Sequence, residues 1–282
     1  MLVRPSEALL VGIPSQATAD GWAITYRRFL LGLGDAELGG ERCTEYSEAD
    51  YDRIFDMQQP EPQKVNVQYA LGFCELDYEV LNPSGESLLG AGVSPEDAVF
   101  MRTPGSDDYA RQQGVSLYAE GQATLGKVTK SFAWAFRWQV AYDDCGAAGR
   151  EMSFSGVELR QDEPTNIELL IAGEALFQTN PDPELARLRF GPLADADTLS
   201  GNDDGAVTLE ELGQVKLADL PPELGYDSFA GVDPRELPPR ILAEPTLQDH
   251  VYVGAFPNVA RFPGGNGACQ THVRAGSGRN GF

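Results

Sequence analysis

From Asp195 to Glu211 the chain runs Asp-Ala-Asp-Thr-Leu-Ser-Gly-Asn-Asp-Asp-Gly-Ala-Val-Thr-Leu-Glu-Glu. The spacing of its oxygens suits one chemistry, the binding of a hard cation, with Ca²⁺ as the expected ion. With Gly205 as the turn residue, Asn202 and Asp204 fall at the third and fifth loop positions. The Ala206 carbonyl falls at the seventh, Thr208 at the ninth and the Glu211 carboxylate at the closing position. The first position requires Asp and holds Ser200. The nearest replacement is Asp197, with Asp195 behind it. An enlarged first half, from Asp197 over Leu199 and Gly201, brings a carboxylate back to the ion. The expected metal ligands are therefore Asp197, Asn202, Asp204, Ala206 and Glu211, with Asp195 in a lesser role. The competing explanation is a solvated acidic turn that caps a helix starting near Thr208, because Thr208 and Glu211 form a capping-box pair.

Other reactive residues offer less. His250 and His272 are the only histidines and have no metal-ligand spacing. Gly-x-Ser-x-Gly is absent, and the glycine pairs at Gly32/Gly34 and Gly39/Gly40 lack the spacing of a phosphate loop. Carboxylate pairs are numerous but none sits on a strand among aromatics, as sugar-cleaving chemistry prefers. No catalytic residue is assigned. Cys43, Cys74, Cys145 and Cys269 form no CxxC pair, so zinc-ribbon and thioredoxin readings fail. An even, widely spaced set fits two disulfides in an oxidising compartment. Of three pairings, Cys43–Cys74 and Cys145–Cys269 are favoured. The first closes a short loop between neighbouring strands, and the second ties the Gly-rich tail to the β region.

The net charge is −22, which disfavours nucleic acid and anionic membranes as partners. Residues 195–249 hold 13 acidic and 3 basic side chains, so much of the charge is local. No apolar run is long enough to span a membrane, and no signal peptide is visible. That leaves room for a lipid anchor on a removed or missing N-terminal segment.

The elements that position these residues read as β structure. Trp22–Leu33, Cys74–Leu81, Val115–Thr124 and Lys130–Trp138 are rich in strand formers and alternate in polarity. Asp35–Gly40 reads as a turn. Leu125-Gly126-Lys127 is a hairpin turn, and Phe132, Trp134, Phe136 and Trp138 share one face of the strand that follows. That face is the buried one, since the alternate residues offer no second apolar face. Seven to nine short strands at regular spacing predict a mainly β chain, an antiparallel β-sandwich over 1–175. A helical and irregular acidic region with the calcium loop follows over 176–262, and a Gly-rich tail over 263–282. Within the second region, helices are expected at 182–190, at 208–217 and from Thr246.

The acidic loop resembles the calcium loop of the EF-hand family over about fifteen residues, which implies a site and not an EF-hand domain. Two longer patterns, Asp20-Gly-Trp-Ala-Ile-Thr-Tyr-Arg-Arg-Phe-Leu and Gly114-Val-Ser-Leu-Tyr-Ala-Glu-Gly-Gln-Ala, continue to Lys130-Ser-Phe-Ala-Trp-Ala-Phe. With Pro192-Leu-Ala-Asp-Ala-Asp and Val-Thr-Leu-Glu-Glu-Leu, they resemble uncharacterised secreted or lipoprotein-type proteins of delta-type bacteria. More distantly the layout is similar to copper-binding periplasmic proteins associated with methanobactin uptake. No copper ligand set of that family matches here residue by residue. The expectation is an extracellular, periplasmic or outer-surface protein that is not an enzyme, binds a protein or surface ligand and carries a structural Ca²⁺. A periplasmic copper-handling or redox-partner protein is the alternative, and a secreted carboxylate-dependent hydrolase the second.

Overall fold

The computed structural model describes residues 1–47, 51–105, 113–146, 156–182, 184–226, 237, 239–263 and 269–274. The chain is mainly β. Its spine is the strand Ala23–Gly39, which pairs antiparallel with Leu117–Leu125 on one side and Tyr69–Val80 on the other. The sheet continues outward through Val128–Phe136 to Ala206–Val207, and through Gln139–Cys145 to Gln270–Arg274. Cys43–Ser47 and Val157–Leu159 flank the first half of Tyr69–Val80. A second sheet runs Ala260–Arg261, Glu168–Ile171, Leu2–Pro5, Gln63–Lys64.

Both sheets are mixed, whereas alternation in the sequence suggested antiparallel pairing throughout. Leu2–Pro5 runs parallel to Glu168–Ile171, and Ala206–Val207 runs parallel to Val128–Phe136. Each parallel pair joins segments distant in sequence. Such partners need no hairpin, so their direction is set by the packing and not by a turn.

Asp35–Gly40 is not a separate turn. The strand passes through it, with a bulge between Gly34 and Glu37 opposite Tyr69–Val80. Asp35 takes up the irregularity at φ 45°, which Asp tolerates better than most side chains. Among the described residues of 182–190 there is no helix either. Asn180 and Asp182 accept from backbone amides two residues ahead, and Leu188 bridges back to Gln178. Local side-chain acceptors have won over helix propensity there. The helix after Thr208 is short, Leu209–Leu212, and stops at Gly213. Thr246 does cap a helical segment, Leu247–Asp249, that continues as a π-turn through Ala255. Met152–Leu159 also reads as a strand from its sequence; residues 152–155 lie outside the described residues, and Val157–Leu159 is a strand.

One apolar cluster joins the two regions read from composition. It takes in Phe132, Trp134 and Phe136 from the sheet and Val207, Leu212, Ile241, Leu247 and Val251 from the acidic region. Phe132 meets the rings of Tyr26, Trp134, Phe177 and Phe190 at centroid distances of 5.1–6.1 Å. The aromatic face of Val128–Phe136 is thus the buried one, as its alternation required. Both disulfides form as expected, Cys43–Cys74 and Cys145–Cys269. Among the described residues no helix is long and apolar enough to cross a membrane.

Candidate functional site: the acidic loop and the groove beside it

The loop begins in a π-turn, Ala196–Ser200, closed by the Gly201 amide donating to the Ala196 carbonyl at 2.8 Å. This turn is one residue wider than an α-turn. It rotates Asp197 inward until the side chain is fully buried. The Asp197 carboxylate then accepts from the amides of Asp204, at 3.2 Å, and Gly205, at 3.1 Å. Gly205 sits at φ 87°, the conformation its place in the motif demands, and Asp203 beside it at φ 54°.

The second half is organised by Glu211. One of its oxygens accepts from the Asn202 amide at 3.3 Å. The other accepts from the Thr208 amide and hydroxyl, at 2.9 and 3.0 Å. The Thr208 hydroxyl in turn accepts from the Glu211 amide, so the capping box is complete. Asn202 and Asp204 are exposed and bond to one another at 3.0 Å. Asp195, the last residue of the helix that precedes the π-turn, is exposed and makes none of these bonds to the loop. Ala206 is half-buried, at the start of the short strand that pairs with Ser131 and Phe132.

The structure therefore gathers Asp197, Asn202, Asp204, Ala206 and Glu211 into one loop and leaves Asp195 outside it. It also adds a residue that the motif did not name. Lys130 lies on the inward face of Val128–Phe136, two positions before Phe132, with its side chain only 9% exposed. Its ammonium pairs with Asp197, and it reaches the Thr198 hydroxyl at 3.0 Å and the Asp203 carboxylate at 3.3 Å. The hydrogen bond that the ammonium donates to Asp197 holds the lysine's pKa above its ordinary value, against the opposing effect of burial. The oxygens of the loop are thus engaged with backbone amides and an ammonium. Among the described residues no three His, Cys, Asp or Glu side chains are grouped to hold a metal. The sequence did carry a signal for this lysine. In Lys130-x-Phe132-x-Trp134-x-Phe136 the lysine shares the aromatic face, and a lysine on a buried face needs a buried partner.

Two more contacts dock the loop on the sheet. The Trp134 indole donates to the Val207 carbonyl at 2.8 Å, and the Ser131 amide donates to the Gly205 carbonyl at 2.8 Å. The docked segment Ala206–Thr208 forms one wall of a surface groove of about 550 Å³. Its floor is the outer face of three strands. Thr25 stands opposite Gln122, and Gln122 opposite Ser131, so a hydroxyl, an amide and a hydroxyl form one cross-strand row. Beside the row lie Arg27 and Glu120, paired with each other. A bulge between Tyr26 and Arg28 bends the central strand at the groove, and Gly121 lets the Thr25 carbonyl approach.

The remaining candidates lie apart from the loop: His272 stands 3.7 Å from the Asp143 carboxylate. The Nε2 atom of His250 lies 2.7 Å from the Gln178 carbonyl, and its ring meets Tyr226 edge-on at 4.9 Å. Trp134 and Trp138 are buried. No family model, curated protein or solved structure matches the chain.

Proposed function

We propose that this is an extracytoplasmic, non-enzymatic binding protein that takes a neutral, hydroxyl-rich ligand in the groove beside the acidic loop. The observation that carries the reading is the row Thr25–Gln122–Ser131 beneath the wall Ala206–Thr208. Its groups donate and accept hydrogen bonds without net charge, and the one ion pair there, Arg27–Glu120, is internally balanced. The volume is of the order of small-molecule sites, roughly 300–1,000 Å³. The two disulfides support an oxidising compartment. We read the two sheets as the layers of an open sandwich around the shared core, with the acidic region packed on one edge as a brace for the groove.

The other readings have less support. A copper site would be favoured by an exposed tryptophan beside His250, whereas Trp134 and Trp138 are both buried. Hydrolysis needs a carboxylate pair, and the described lining of the groove offers one carboxylate, Glu120, bound to Arg27. Calcium at Asp197, Asn202, Asp204, Ala206 and Glu211 becomes a question of competition with Lys130.

The test is a thermal-shift and calorimetric screen against neutral and charged oligosaccharides, with Gln122→Trp as the groove-filling variant. A neutral member is expected to raise the wild-type midpoint and to lose its effect on the variant, which keeps its own fold because Gln122 is exposed. No binder in the neutral set, or a binder that the variant retains, overturns the assignment. Elemental analysis of the same preparation reports whether calcium or copper accompanies the protein.

A further inference from the structure

We infer that Lys130 is the resident cation of the acidic loop, so that the loop closes without a metal and calcium competes with the lysine for the same oxygens. The inference concerns the loop alone and is independent of the ligand in the groove.

Three observations carry it. First, Lys130 occupies a buried position on an aromatic face, where an ammonium is costly unless it is paired. Second, two of its partners, Asp197 and Thr198, belong to the first half of the loop, and the third, Asp203, follows two residues after Gly201. The first half is the one in which the cation motif is defective, with Ser200 where Asp is required. The lysine supplies positive charge to the one buried carboxylate that the π-turn delivers. Third, the same Asp197 carboxylate accepts from the amides of Asp204 and Gly205. Neutralising it fixes the turn that places Ala206–Thr208 against the sheet. A divalent ion on Asp197 would lie within a few ångströms of the ammonium. Two like charges that close, away from bulk water, repel strongly. Lysine and calcium therefore exclude one another, and the lysine, tethered to the neighbouring strand, has no association entropy to lose.

The experiment follows hydrogen exchange of the Asp204 and Gly205 amides, together with the thermal midpoint, in chelator and in millimolar calcium. For the wild type, both amides are expected to be protected in chelator, with the same midpoint in both buffers. Lys130→Met strands a buried carboxylate and is expected to lower the midpoint by roughly 10 °C and to speed exchange at both amides. Adding Asp197→Asn to that variant restores part of the midpoint, because the uncompensated charge is gone. Wild-type amides that exchange freely in chelator and become protected only with calcium overturn the inference. So does a Lys130→Met protein with the wild-type midpoint. If Lys130→Met does not fold, the wild-type comparison decides alone.

Discussion

Phe132 shows what a single side chain contributes here. It is 2% exposed and touches four other rings. Phe132→Ala removes that volume from a region where strand, acidic segment and 173–177 turn meet, and such a packed site collapses only partly. The expected loss is about 3–5 kcal/mol of unfolding free energy. Chemical denaturation should show a lower midpoint with an unchanged slope; a stability within 1 kcal/mol of wild type would mean the ring is not core.

Asp77 is a residue-scale liability. Burial raises its pKa first, and the nearby Asp143 and Asp144 raise it further, against a hydrogen bond from the Asp144 amide. A carboxylate whose folded pKa is raised binds more protons folded than unfolded. Stability is then lost as pH climbs from the ordinary carboxylate value through the raised one, and the penalty persists above it. Asp77→Asn keeps an acceptor for the Asp144 amide and removes the charge. Since the side chain is only half-buried, screening limits the gain at neutral pH to less than about 1 kcal/mol. The gain should vanish near pH 3, where the wild-type carboxyl is protonated; a gain independent of pH would point to another cause.

At the scale of elements, the groove depends on a close approach between two strands. A Cβ on Gly121 would stand 2.1 Å from the Thr25 carbonyl oxygen and 2.7 Å from the Phe132 ring. The first neighbour is backbone and cannot swing aside. Gly121→Ala should therefore cost about 1–3 kcal/mol, as overpacking does, and should disturb the bulge at Tyr26–Arg28. A melt of that variant at wild-type temperature would show that the approach is looser than described. The turn at Gly126, at φ 61°, and the capping boxes at Thr208 and Thr246 are of a different kind. They are local devices, fixed by two to four residues each, and for that reason they are readable in the sequence. The bulge that carries Asp35 was not. Its cause is the register of a distant partner, Tyr69–Val80, and no local residue announces it.

For the whole molecule, the disulfides set the scale of cross-linking. Cys43–Cys74 spans 31 residues and Cys145–Cys269 spans 124. In the chain-entropy description the longer loop restrains the unfolded chain more, by about 5 against about 4 kcal/mol. Replacing Cys145 and Cys269 by Ser should thus lower the midpoint further than replacing Cys43 and Cys74. Peptide mapping without reduction checks the pairing itself, and four free thiols would remove the basis for an oxidising compartment.

The sequence by itself determined what depends on neighbours along the chain. Alternation made Phe132, Trp134 and Phe136 a buried face, Gly205 had to be a turn, and Thr208 with Glu211 had to be a cap. The cysteine pairing was favoured among three by the sequence, and the structure shows the favoured one. Tertiary structure alone decided what sits opposite those elements. Lys130 and Asp197 are 67 positions apart, and the groove takes one wall and three floor strands from separate parts of the chain. An inward lysine announces that it needs a carboxylate, but forty-three acidic residues could answer. The packing of the Ala196–Ser200 turn against Val128–Phe136 selects Asp197, because among the described residues it is there that a buried ammonium meets a buried carboxylate.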